Sequence, residues 1–255
     1  MKKVLLVFSI TMIVVFVLSA CGLLQDPEEA SAPIEATPVL IETSIDQQDE
    51  ATQVIETQSD VEESSSEQSA AAEAVSRDVT VFVISQSDSQ VRFELDEDLR
   101  GQRITVVGVT DQVAGEIAVN LDDLSTAQVG VMQINARTLL TDNDFRNRAI
   151  QNQILDTGDY EFITFEPTGI VGLPDKAAIG EQITFTIEGN LTIRDLTNPV
   201  TFTVNARADS QGQISGTATT VINRVDYNLN IPSVPNVANV EEEVELYIDF
   251  VALAK

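Results

Sequence analysis

The sequence predicts an all-β fold, an antiparallel β-barrel of about eight strands with one short helix. Three observations predict it. From Gln182 to Arg194 apolar and polar residues alternate without a break, with Ile183, Phe185, Ile187, Gly189, Leu191 and Ile193 on one face. Such a period of two is a strand with one buried side. The pattern returns at Val200, Phe202, Val204 and Ala206 and again at Val244, Leu246, Ile248, Phe250 and Ala252. Only one stretch, Asp142–Leu155, has helical spacing, with Phe145, Ala149, Ile150 and Ile154 on one side. A β-sandwich would bury alternating faces in the same way. Long strands with a central glycine, which permits the bend of a curved sheet, favour the barrel.

The chain opens on Lys2 and Lys3, an apolar run from Val4 to Leu18, and Leu18-Ser19-Ala20-Cys21. This is the layout of a bacterial lipoprotein signal: the run suits a signal peptide and is short for a spanning helix. Cleavage after residue 20 would let Cys21 take a diacylglycerol, and two or three acyl chains anchor stably where one does not. An uncleaved membrane anchor is the alternative. Both place residues 22–255 outside the cytoplasmic membrane, in the periplasm or on the outer surface.

Between Gly22 and Ser76 there are 14 acidic residues, no Lys or Arg, and prolines at 27, 33 and 38. A segment of this composition buries too little apolar surface to offset its ordering entropy. Residues 21–76 are therefore expected to be a disordered tether, spanning about 40 Å and holding the domain off the lipid surface. An Ala-rich run at 70–74 leaves a partly helical stalk as the alternative.

Residues 77–255 form one domain by length. Within it, weaker strands are expected at 79–84, 90–95, 104–107, 115–121, 128–136, 160–166 and 213–222. Thr141 is the expected helix cap, with Asp144 three residues on. Asp195–Pro199 reads as a turn between the two clearest strands.

Charge and composition exclude several functions. The net charge is −27, against the basic surfaces that nucleic acid and anionic lipid favour. With no histidine and a single cysteine, the common nucleophile–base pairs and zinc ligand sets are missing. No enzymatic activity and no resident cofactor are expected. Asp122-Asp123 and Glu241–Glu243 bear the oxygen ligands that calcium takes, but a solvated turn and a charged strand entry account for them; Asp142-Asn143-Asp144 resembles the start of a calcium loop, without the glycine and terminal glutamate that should follow.

Five stretches together resemble the YceI-like family of secreted polyisoprenoid-binding proteins. They are Ile84-Ser85-Gln86-Ser87-Asp88-Ser89-Gln90-Val91-Arg92-Phe93; Gly115-Glu116-Ile117-Ala118-Val119-Asn120; Asp144–Arg148 running into Tyr160-Glu161-Phe162-Ile163-Thr164-Phe165; Gly189-Asn190-Leu191-Thr192-Ile193-Arg194-Asp195-Leu196-Thr197-Asn198-Pro199-Val200; and Asn223-Arg224-Val225-Asp226-Tyr227-Asn228-Leu229. The fourth is the most distinctive, similar to "G-x-L-T-I-x-x-V-T-x-P-V". Two positions depart from the family: Asp88 stands where many members have histidine, and Asn228 where "D-F-G-L" has glycine. The resemblance covers residues 79–252. It implies an extended lipocalin-like barrel with an apolar tunnel for an isoprenoid chain, such as a polyprenyl phosphate or quinone-like lipid.

On that reading the tunnel candidates are Val91, Phe93, Phe162, Ile183, Phe185, Ile187, Leu191, Ile193, Phe202, Val204, Leu246, Ile248 and Phe250. Arg224, Arg146 and Arg148 are head-group candidates, since arginine pairs with phosphate through two parallel hydrogen bonds; salt bridges to the abundant acids are the plainer role for each. The function expected is that of a lipid-anchored carrier of a long amphiphilic lipid. A ligand-free interaction domain with a filled core is the alternative.

Overall fold

A computed structural model describes residues 26–31, 33–39 and 79–255. The signal region and residues 40–78 lie outside the described residues, and with them Cys21 and most of the expected tether. The strands are β1 (Thr80–Ile84), β2 (Gln90–Leu99), β3 (Gln102–Thr110), β4 (Val113–Ala114), β5 (Glu116–Val119), β6 (Gln128–Val129), β7 (Met132–Asn135), β8 (Phe162–Val171), β9 (Gln182–Ile193), β10 (Leu196–Ser210), β11 (Gln213–Asn223), β12 (Val237–Ala238) and β13 (Glu243–Ala254).

Every ladder is antiparallel, and the ladders follow a ring. From β7 the order runs β8, β9, β10, β11, β13. The long β13 then pairs β1 through its C-terminal half and β2 through its middle. β1 and β2 are thus one bent stave, and β3, β4 and β5 opposite them are another. The ring closes where β4 meets β7 and where Val109 bridges Leu140. So counted, there are eight staves, the number that leaves room inside for side chains or one small ligand.

The bend between β1 and β2 shows why a serine sits in the first motif. At the jump the ladder would leave the Val251 amide unpaired. The buried Ser89 hydroxyl accepts from it at 3.0 Å, so no backbone donor is orphaned. Asp88, where the family often has histidine, accepts from Ser85 and Ser87 in the same bend. Asn228 closes a 3-10 turn at φ 52°, ψ 32°. That is the left-handed conformation in which asparagine is the usual substitute for glycine.

Three expectations need correction. The turn between the clearest strands is not Asp195–Pro199 but the two residues Arg194-Asp195, with Ile193 opposite Leu196. Pro199 lies inside β10, opposite Asn190. It is tolerated because β10 pairs β11 only from Thr203 onward, so the strand has a free edge at Pro199. The helix is shorter than its periodicity: α1 spans Asp144–Ala149 and runs into a π turn over Ile150–Ile154. Its cap is Asn143, whose side chain accepts from the Phe145 and Arg146 amides. Thr141 instead donates to Asn147. Phe145, expected on the buried side, is 76% exposed.

The third correction concerns the tether. Residues 26–31 and 33–39 lie on the barrel as an extended strap. Asp26 pairs with Arg148 at 3.0 Å and Glu28 with Arg137 at 2.8 Å. The Ser31 amide donates to Glu161 at 2.8 Å, Gln86 donates to the Ile34 carbonyl at 2.8 Å, and the Val39 amide donates to Glu116 at 3.1 Å. Ile34 is buried. Glu161 is pulled two ways. Partial burial pushes its pKa up, but the hydrogen bonds from Ser31 and Asn135 and the charge of Arg137 outweigh it and leave the carboxyl below its ordinary 4.5.

A carboxylate with a depressed folded pKa stabilises the docked state fully above the undocked value and loses that contribution as pH falls through the docked one. The Ser31 amide is therefore expected to stay protected from hydrogen exchange from neutral pH down to about the ordinary glutamate pKa. Protection should then fall in more acid solution, while the amides of β9 stay protected.

Candidate functional site: the barrel interior

Alternation sends every second side chain of each stave inward. From β2 these are Val91, Phe93, Leu95, Glu97 and Leu99; from β9, Ile183 through Ile193; from β13, Val244, Leu246, Ile248 and Phe250. They do not fill the interior. An upper cavity of about 550 Å³ runs beneath α1 and the loop 229–240. A lower one of about 120 Å³ lies between β1, β5, β9 and β10. The upper volume falls within the range of small-molecule sites.

Phe165, Phe202 and Ile248 line both cavities. The two rings meet edge to face with centroids 4.9 Å apart and planes at 69°, a geometry their quadrupoles favour. This pair divides the interior. It rests on Gly189, the centre of the clearest strand. A Cβ there would lie 2.5 Å from both the Phe165 ring and the Glu166 carbonyl. The irregularity that Gly189 forecasts falls on its partner strand, where the β8–β9 register shifts between Pro167 and Gly169.

The predicted wall residues divide between the two chambers. Val91, Phe93, Leu191, Ile193 and Leu246 line the upper one, and Ile183, Phe185, Ile187, Val204 and Phe250 the lower; Phe202 and Ile248 belong to both. Phe162 lines neither. On β8 the inward residues are Ile163 and Phe165, so Phe162 has the opposite parity.

All three predicted arginines border the upper chamber. Arg148 is held by Asp26. Arg146 bridges Glu97 at 3.1 Å and Asp142 at 2.5 Å. Arg224 donates through Nε to the Glu241 carbonyl at 3.0 Å and through Nη1 to the Leu229 carbonyl at 3.1 Å, clamping the loop between them. Glu97 was not among the sequence candidates. Its signal was present: an acid at an inward position of β2, between Leu95 and Leu99. The side chain is only 8% exposed, so the mostly apolar wall carries a buried carboxylate paired with Arg146.

A profile of the YceI-like domain matches residues 82–252. The chain belongs to the YceI-like family. Among solved structures, the fold is similar to a polyisoprenoid-binding domain from Saccharophagus degradans implicated in plant cell wall breakdown. That match has a TM-score of 0.55 and 15% identity, and covers 69% of this chain and 99% of that one. It is also similar to BcnA from Burkholderia cenocepacia, with a TM-score of 0.53 and 17% identity over 66% of this chain and 98% of that one. Among curated proteins no sequence matches this chain. The expected lipocalin-like antiparallel barrel is thus the fold of this YceI-like protein.

Gly189→Ala tests the partition. Overpacking against backbone and a fixed ring should lower stability to denaturant by about 1–3 kcal/mol. Gly212→Ala, which meets nothing within 4 Å, should leave the unfolding midpoint nearly unchanged.

Proposed function

We propose that this YceI-like protein is a lipid-anchored extracytoplasmic carrier of a long amphiphilic lipid, of the isoprenoid class. The observation that carries the reading is the cavity of about 550 Å³ walled by inward side chains of eight staves and continued, past Phe165 and Phe202, by a narrower chamber. A slender chain is the shape that uses both. Its burial is worth about 25 cal/mol for each Å² removed from water, so affinity needs few polar contacts.

Support comes from three further sources. The solved structure from Saccharophagus degradans is described as polyisoprenoid binding. The N-terminal signal layout with Cys21 supports the anchor, and with it a place in the periplasm or on the outer surface of a bacterial cell. A chain without histidine fits binding better than acid–base catalysis. Arg146, Arg148 and Arg224 border the upper chamber, where the head group of a charged lipid would rest. Arg146 has its two carboxylates, so a phosphate there would compete with Glu97 and Asp142 rather than find a free cation.

Mass spectrometry of lipids extracted from protein purified from its own membrane should find an isoprenoid in near-stoichiometric amount. Leu246→Trp should lower loading of every chain by filling the upper chamber. Ala206→Trp, in the lower chamber, should exclude only chains long enough to pass the Phe165–Phe202 pair. Wild-type protein with neither bound lipid nor affinity for polyprenyl phosphates or quinones would defeat the carrier reading.

A further inference from the structure

The strap fixes where the anchor lies relative to the barrel. Its first described residue, Asp26, is held by Arg148 on α1. Cys21 is five residues earlier, and five residues span at most about 18 Å when fully extended. Chain length would thus keep an acyl-bearing Cys21 within that reach of Asp26 and α1, far closer than a flexible tether through residue 76 would allow. Along the strap, Ile34 is buried and the amides of Ser31 and Val39 are paired, so its hold does not depend on Asp26 alone.

The same end of the barrel is where the upper cavity reaches the surface. Phe145, one turn before Arg148 on α1, lines that cavity and is 76% exposed; Val234, in the loop before β12, lines it too and is 44% exposed. Ile231, Pro232 and Pro235 complete this side of the rim. Phe145, Val234 and Pro235 thus leave apolar surface exposed around the cavity mouth.

We propose that this rim docks onto the bilayer that holds Cys21, with Phe145 and Val234 at the headgroup–acyl boundary, so that the upper cavity opens onto the membrane. The inference rests on the lipidation of Cys21 proposed above. The occupant is a lipid surface because chain length puts the anchor there and because the rim is apolar. The domain's acidity rules out attraction to anionic headgroups as the driving force. Acyl chains and apolar rim supply the two signals that stable membrane association takes. A lipid would then pass between bilayer and cavity without crossing water.

The chain has no tryptophan, so single reporters are clean. Full-length acylated protein carrying Phe145→Trp, Val234→Trp or, at the opposite hairpin between β10 and β11, Gln211→Trp is reconstituted into phosphatidylcholine vesicles with brominated acyl chains. The first two reporters should lose most of their emission and the third should keep it, with little dependence on salt. Adding Ile34→Asp, which releases the strap, should restore emission at position 145 while acylation is retained. Fatty-acid labelling of the same samples separates the possible failures. A chain that takes no label overturns the anchor and the docking with it. A labelled chain whose three reporters are quenched alike, or not at all, overturns the docking alone. Unchanged quenching in the Ile34→Asp background overturns the strap's part in it.

Discussion

A strand paired on both sides must send every second side chain to the inside of a closed sheet, whether or not the space there can be filled. In this protein eight staves impose that rule, and many inward residues are of middling size, such as Val91, Leu95, Ile183, Ile187, Leu246 and Ile248. The sheet holds its circumference through backbone ladders, so the interior cannot shrink to the volume of its side chains. The result is a wide cavity above and a narrow one below. Between them two phenylalanines, from the strands on either side of β9, meet over its glycine and narrow the interior. The division of the interior into chambers thus depends on one aromatic contact and on the absence of a Cβ at position 189.

The polar features of the site follow from the same rule. Glu97 occupies an inward position, and burying a lone carboxylate is costly. Arg146 on α1 meets it and thereby fixes the helix over the cavity mouth. Arg224, though cationic, is spent on main-chain carbonyls that shape the loop facing α1. The two sides of the mouth are therefore each tied down by an arginine, while the apolar residues between them, Phe145 and Val234, are left outward.

Strands with long, unbroken alternation were legible in the sequence nearly to the residue: 182–194 was expected and β9 ends at Ile193. Their inward faces were legible too, since parity follows from period two. Parity failed at Phe162 because β8 is short of alternation before its register shift, and two aromatics three residues apart offer both choices. The turn at 194–195 was hidden by Pro199, whose tolerance depends on a free edge that only the pairing of β10 reveals. The helix was seen, but its cap and exposed phenylalanine depend on packing around Asn147 and the cavity mouth. The strap was illegible for a different reason. Composition averaged over 55 residues describes a solvated chain, yet 13 of them lie on the barrel, held through one isoleucine, ion pairs and a few backbone groups by Gln86, Glu116, Arg137 and Glu161.

The strap also changes what the acidic run after it can do. Val39 is pinned to the barrel by Glu116, and the chain re-enters the fold at Thr80. The run between them has both ends on one surface, so it is a closed loop in the polymer sense. Doubling such a loop costs only about 0.6 kcal/mol of closure entropy. Insertions and deletions there thus cost little closure entropy. None of them shifts the segment ahead of Asp26 relative to the cavity mouth. The geometry that matters is insulated from the part of the sequence best able to vary.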